Sequence, residues 1–236
     1  MVDDLKLSRK GDVYIKGRGK NKKSYRRVTS FVGSFFTPFD AKGMARKLSK
    51  LPWAKAQGKT MKTFLTEWKQ SGEDGTEVHK LLEKYVLGEL DITEETLAPI
   101  KAQQGFRWFD KYEEIIQPEM VLPERRVHSD KYLLAGTVDL CLHMQGNGVY
   151  VCDFKTNKDL TRTYNKDMGL GPCSDLADTK LNHYYLQLNI YAFLLETEYG
   201  YDVLGMKIVH LKEDGVVEYD VPNMRAKVLE MLNYEQ

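Results

Sequence analysis

Cysteine is scarce: Cys141, Cys152 and Cys173 are the whole complement of the 236-residue chain, and they form no CxxC pair. An odd, unclustered set excludes a disulfide framework, a four-cysteine zinc site and a four-cysteine iron–sulfur cluster. Long apolar runs are missing too, and nothing approaches the roughly 18 residues that a membrane-spanning helix needs. The opening Met1-Val2-Asp3-Asp4 lacks the basic-then-apolar order of a secretory signal. The expectation is a soluble intracellular protein with no membrane partner. Repeats and low-complexity tracts are absent, and the net charge is only +1.

What is present is enough for one full core, since 42% of the residues are hydrophobic and 11% aromatic. One domain is the simplest count. The small net charge hides an asymmetry. Residues 9–27 carry Arg9, Lys10, Lys16, Arg18, Lys20, Lys22, Lys23, Arg26 and Arg27 against Asp12 alone, which leaves the rest of the chain mildly acidic. Glycines loosen this stretch, and Tyr14 and Tyr25 are available for stacking. Residues 1–27 therefore read either as a basic arm for a phosphate backbone or as a solvated tail.

Residues 38–118 have a mainly helical texture, with segments at 40–51, 60–70, 75–87 and 94–117 separated by Pro38, Pro52, Gly58 and the Ser71-Gly72 turn signal. From 119 onward the texture is that of a sheet core, with strand-like runs at 120–128, 131–144 and 149–155. A polar segment at 156–179, with Lys158 and Arg162 as candidate phosphate contacts, reads as a mobile loop able to cover a substrate. A helix over 181–198, a hairpin of 203–211 with 216–221, and a terminal helix over 223–234 complete an α/β arrangement about one mixed sheet. If the strands at 149–155 and 203–211 are parallel, the helix between them is a crossover.

Gly146-Asn147-Gly148 is a hairpin signal. A turn centred there pairs residues whose numbers sum to 292 or 293, and this sets Asp139 opposite Asp153 at a Cβ separation of roughly 5 Å, where like charges destabilise the pairing. Alternation puts Val149, Val151, Asp153 and Lys155 on one face and Tyr150, Cys152 and Phe154 on the other. Aspartate is poor in strands, and both acids lie inside apolar runs. Each residue alone would read as a strand end or a salt-bridge partner. Together they are better explained by a cation held by oxygen ligands and water, as magnesium or manganese prefers.

Gly136-Thr137-Val138-Asp139 followed by Asp153-Phe154-Lys155 resembles the GxxD and (D/E)xK motifs of PD-(D/E)XK nucleases. Gly75-Thr76-Glu77-Val78-His79 is similar to the GxxxH motif upstream, and Gln187-Leu188-Asn189-Ile190-Tyr191 to the QxxxY motif of the RecB-like exonucleases downstream. The triplet alone is weak, but four motifs in the expected order are specific. The resemblance spans about residues 30–191 and is greatest to small stand-alone exonucleases of mitochondrial, phage or viral type. It implies a restriction-endonuclease-like core of a mixed sheet flanked by helices, preceded by a helical region, within a nuclease domain at 28–236.

The resemblance also implies roles. Asp139, Asp153, the main-chain carbonyl of Phe154, His79 and, from its place in the first strand, Glu124 would hold magnesium or manganese. Lys155 would orient water and stabilise charge, while Gln187 and Tyr191, at i,i+4 on one helix, would fix the scissile phosphate or the lysine. Arg18, Lys20, Lys22, Lys23, Arg26, Arg27, Lys158 and Arg162 would contact DNA. The activity implied is a metal-dependent DNA exonuclease of replication, recombination or repair, with a protein of those processes as a possible partner and without the iron–sulfur cluster of some relatives. Competing readings are a structure-specific endonuclease and a catalytically silent module that binds DNA ends. Trp53, Phe64, Trp68 and Trp108 read as core residues that could alternatively stack on bases.

Overall fold

The computed structural model describes residues 5–8, 11–163 and 167–234. Arg9 and Lys10 of the basic stretch lie outside them. The elements run β1 (Lys6–Leu7), β2 (Val13–Lys16), β3 (Lys23–Arg27), α1 (Val28–Gly33), α2 (Ala41–Leu48), α3 (Pro52–Ala56), α4 (Met61–Val86), α5 (Ile92–Leu97) and α6 (Ile100–Ile116). There follow β4 (Met120–Ser129), β5 (Leu134–His143), β6 (Gly148–Lys155), α7 (Lys180–Tyr199), β7 (Asp202–Lys212), β8 (Gly215–Asp220) and α8 (Arg225–Tyr234). No helix among the described residues is long and apolar enough to cross a membrane.

All the strands join one sheet, and β5 is its hinge. β4 pairs with β5 along its whole length, while the other edge of β5 is divided between two partners. Its start pairs in parallel with β3, Arg26 opposite Leu134 and Arg27 opposite Ala135. Its end pairs antiparallel with β6, Leu140 opposite Cys152 through His143 opposite Val149. Between them, residues 136–139 have no strand on that edge. The sheet is split there. β6 then runs parallel to β7 across the α7 crossover, and β7 returns as a hairpin with β8, as the sequence pattern predicts.

Two helical layers cover the sheet. α1, α7 and α8 bury one face around Val138, Cys141, Val149, Val151 and Ile208. α4 and α6 bury the other around Leu140, Leu142, Cys152, Phe154 and Val209. The alternation expected for β6 is observed. On β5 it breaks: residues two apart on a regular strand share a face, yet Val138 packs on the α7 side and Leu140 on the α4 side. The strand changes phase at Asp139.

Several expectations are corrected. The basic stretch is no tail among its described residues, because β2 and β3 extend the sheet and Tyr25 is fully buried against Leu5, Tyr14 and Ala135. Ser71-Gly72 does not interrupt the helix; α4 runs through it, capped by Thr60 and carried by packing on both sides. The segment at 94–117 is two helices, parted where Pro99 forces extended backbone before α6. α1 carries no strong sequence signal, being a single short turn buried through Val28, Phe31 and Val32. The 156–179 segment is partly anchored, with Leu160 and Cys173 buried and Met168 bridged to Ala177.

Candidate active site

The observed β5–β6 register has the sum of 292 that the hairpin arithmetic gives, and one step beyond its last pair Asp139 comes opposite Asp153. The β4–β5 register places Glu124 opposite Asp139 in the same way, between Pro123 opposite Leu140 and Arg125 opposite Val138. Three adjacent strands thus bring three acids into one row. Glu124 is missing from the ladder because it is left-handed, at φ 49°. For a residue other than glycine that conformation costs about 1 kcal/mol or more, strain that packing must hold in place.

Because the sheet is split at this row, groups from both helical layers reach it. From α4, His79 Nδ1 lies 3.4 Å from Asp139 Oδ2, which also accepts from the Phe154 N–H at 2.8 Å. From α7, Gln187 Nε2 donates to Asp153 Oδ1 at 3.2 Å and to Tyr191 Oη at 3.4 Å. Lys155 pairs with Asp153 Oδ2 and sits 4.5 Å above the ring of Tyr184, whose hydroxyl donates to Asn157 Oδ1 at 2.8 Å. Asp153 is 1% exposed.

Two motif glycines have steric reasons. A Cβ on Gly136 would fall 2.4 Å from the Tyr191 ring, and a Cβ on Gly75 would fall 2.8 Å from Thr156 Oγ1. The first lets α7 lay Tyr191 on β5. The second lets α4 approach the end of β6 closely enough to deliver His79.

Crowding of the acids shows in their protonation. Burial, reinforced by the Asp139 carboxylate, pushes Glu124 up to about 7. Burial and Asp139 likewise push Asp153 up to about 6 against the pull of Lys155. Burial would raise Asp139 too, but His79 and Lys155 outweigh it and hold its carboxyl below the usual value. His79 and Lys155 are raised in turn, burial notwithstanding, by the acids beside them. Three ionised acids in one row repel one another, and a bound cation would relieve that repulsion.

The donors suit a hard divalent ion. The ligand atoms of His79, Glu124 and Asp139 lie within 4.8 Å of one another. A cavity of about 10 Å³ bounded by these residues, Phe154 and Glu83 has room for one ion or water. Asp153 stands just outside this tight group, held by Lys155 and Gln187.

A cleft of about 530 Å³ opens over the row. One wall is α4 from Ser71 to Glu83, the other Tyr14, Arg27, Val28 and Thr29, and the floor is Ala135, Gly136, Thr137 and Asp139. Glu83, one helical turn after His79, and Tyr184, one turn before Gln187, escaped the sequence reading. Helical spacing from the motif residues, four after His79 and three before Gln187, was the available signal for each.

Gln187 and Tyr191 share a face as expected, but Gln187 holds Asp153 instead of the lysine. Of the basic candidates, Arg27 reaches the cleft, where its guanidinium donates to the Gly11 carbonyl at 2.7 Å. Lys23 is paired with Asp130, and Arg26 lies over Phe31. Arg18, Lys20 and Lys22 sit at the β2–β3 tip, which the parallel register carries roughly 30 Å back along the strand from Asp139. Lys158 and Arg162 are exposed on the loop after β6. Phe64 and Trp108 are core, Trp68 is half-buried and Trp53 is 46% exposed.

A sequence model of the PD-(D/E)XK nuclease superfamily matches residues 53–234. No curated protein matches the chain. Among solved structures, a provisionally named exonuclease from Eubacterium rectale is similar at 11% identity and TM-score 0.44 over 68% of this chain, which spans 64% of that protein's length. The protein SSO0001 is similar at 15% identity and TM-score 0.30, over 66% of this chain and 71% of that one.

Proposed function

Because the chain belongs to the PD-(D/E)XK nuclease superfamily, we propose that it is a divalent-metal-dependent DNA nuclease that hydrolyses phosphodiester bonds from free DNA ends, in replication, recombination or repair. One observation carries the reading: Glu124, Asp139 and Asp153 in a row across three strands, with Lys155 paired to the last.

His79, Glu124 and Asp139, with Asp153 beside them and the main-chain carbonyl of Phe154, would hold magnesium or manganese. When bound, such an ion neutralises charge on phosphoryl oxygens and eases deprotonation of water. Lys155 stays charged over the whole working range, because Asp153 and Asp139 more than offset its burial, and it faces the charge that grows on the phosphoryl group. Gln187 fixes the Asp153 carboxylate by donating to Oδ1, and Tyr191 seals the floor over Gly136. The cleft, walled on two sides, favours a strand end over a continuous duplex.

The test is digestion of end-labelled linear and closed circular DNA with magnesium, manganese or chelator. The expected result is metal-dependent loss of linear DNA with circles left intact. Cutting of circles would replace the exonuclease with an endonuclease, and binding without turnover would sink the enzyme.

A further inference from the structure

We propose that α2, α3 and the first half of α4 form a cap that binds the unpaired DNA strand about five nucleotides from the site of cleavage. The inference rests on the nuclease reading above and adds the substrate form and where it is gripped.

From residue 41 to residue 66 the chain has no acid, while Lys42, Arg46, Lys47, Lys50, Lys55 and Lys62 are exposed and form no ion pair among the described residues. The remaining cation, Lys59, pairs with Glu67. Two aromatic rings stand open in this basic field. Phe39 is 59% exposed and rests edgewise on Trp68 at 5.6 Å, and Trp53 is 46% exposed and rests edgewise on Phe64 at 5.8 Å. Each outer ring is braced by an inner one in a small core of its own, with Ala45, Ala54 and Leu48. Braced rings among unpaired cations are what a flexible single strand needs: stacking for its bases and charge for its backbone. A duplex, its bases already stacked, offers those rings nothing.

α4 connects the cap to the chemistry. Phe64, Trp68, Gly72, Gly75, His79 and Glu83 recur at helical spacing on one face, and from Gly72 onward that face walls the cleft. Trp68 and His79 are eleven residues apart, roughly 16 Å at the helical rise, or about five nucleotides at the stacked spacing of about 3.4 Å per residue of one strand. Residues 39–52, which supply Phe39 and α2, precede the part of the chain that the superfamily model matches.

The experiment uses the full chain in chelator and measures fluorescence anisotropy on labelled oligo(dT) of 4 and 15 nucleotides and on a blunt hairpin duplex. Phe39→Ala/Trp53→Ala is expected to weaken the 15-mer about tenfold or more, to leave the 4-mer and the hairpin unchanged, and to be rescued by Phe39→Tyr/Trp53→Tyr. Lys47→Gln/Lys50→Gln/Lys55→Gln, which alters no core residue, should weaken the 15-mer selectively in the same way and serves if the alanine pair unfolds. Unchanged 15-mer affinity, or equal loss on all three ligands with an unaltered melting temperature, overturns the cap. Absence of metal-dependent cleavage by the unsubstituted protein would instead remove the nuclease reading and leave these binding results standing.

Discussion

Lys155 occupies a nearly dry niche between the Asp153 carboxylate and the Tyr184 ring, its side chain 13% exposed. Removing it deletes the only cation in contact with Asp153 among the described residues, so Lys155→Ala should cut metal-dependent cleavage by a factor on the order of 10² or more. Asp153→Ala should do the same. The two differ in stability: Lys155→Ala strands a buried carboxyl beside Asp139 and should cost on the order of 3–5 kcal/mol where that carboxyl stays ionised. That loss should deepen with pH, because Asp153 escapes the penalty only while it holds a proton. Urea unfolding at pH 5.5 and 8 measures it.

The acid row also contributes to the response of the protein to pH and metal. Glu124 and Asp153 have folded pKa values raised above their unfolded ones, so the folded state holds more protons than the unfolded state between about 4.5 and about 7 for Glu124, and stability falls as pH rises through that window. His79, also raised, contributes stability present at low pH and lost as pH rises through its folded value, with the same sign. Without divalent metal the acid row should therefore pull the melting temperature down from pH 5 to 8, against the opposite pull of His143 and His183, whose folded pKa values burial lowers. Magnesium or manganese should restore it more at pH 8 than at pH 5, and Glu124→Gln should flatten the slope.

At the scale of elements, the site depends on how closely α4 and α7 approach the split in the sheet. Gly75→Ala would ordinarily stabilise a helix interior by about 1 kcal/mol, but the new methyl meets Thr156 Oγ1 at 2.8 Å. We expect near-neutral stability with reduced cleavage, and recovery when Thr156→Ala makes room. Gly136→Ala has no such remedy, since it meets the Tyr191 ring at 2.4 Å, and it should lose about 1–3 kcal/mol together with activity. Cleavage assays paired with thermal melts distinguish the two. These glycines were visible in the sequence as motif positions; their contacts were not, because each joins residues more than fifty positions apart.

Across the whole molecule, charge lies in two places at very different distances from the acid row. The β2–β3 tip carries Arg18, Lys20 and Lys22 far from Asp139, whereas most of the cap cations lie on and between α2 and α3, which pack through Ala45 and Ala54 against Phe64 and Trp68 of the helix that carries His79. Neutralising Lys47, Lys50 and Lys55 should lower the slope of log affinity against log salt for single strands by about 2. Neutralising Arg18, Lys20 and Lys22 should leave it nearly unchanged. Deleting residues 1–27 should unfold the protein instead of merely weakening binding, since it removes β2, β3 and the buried Tyr25.

The sequence by itself determined the mixed α/β class, the hairpin register that sets Asp139 against Asp153, the sidedness of β6 and the i,i+4 pairing of Gln187 with Tyr191. All of these follow from local periodicity and one turn. Only the tertiary structure decided that β3 and β6 take opposite ends of one edge of β5 with a gap between them, that Glu124 is held left-handed opposite Asp139, and that Glu83 and Tyr184 border the row. Such features arise where distant segments compete for one strand edge, and that competition is settled by packing of the whole chain, which no local pattern records.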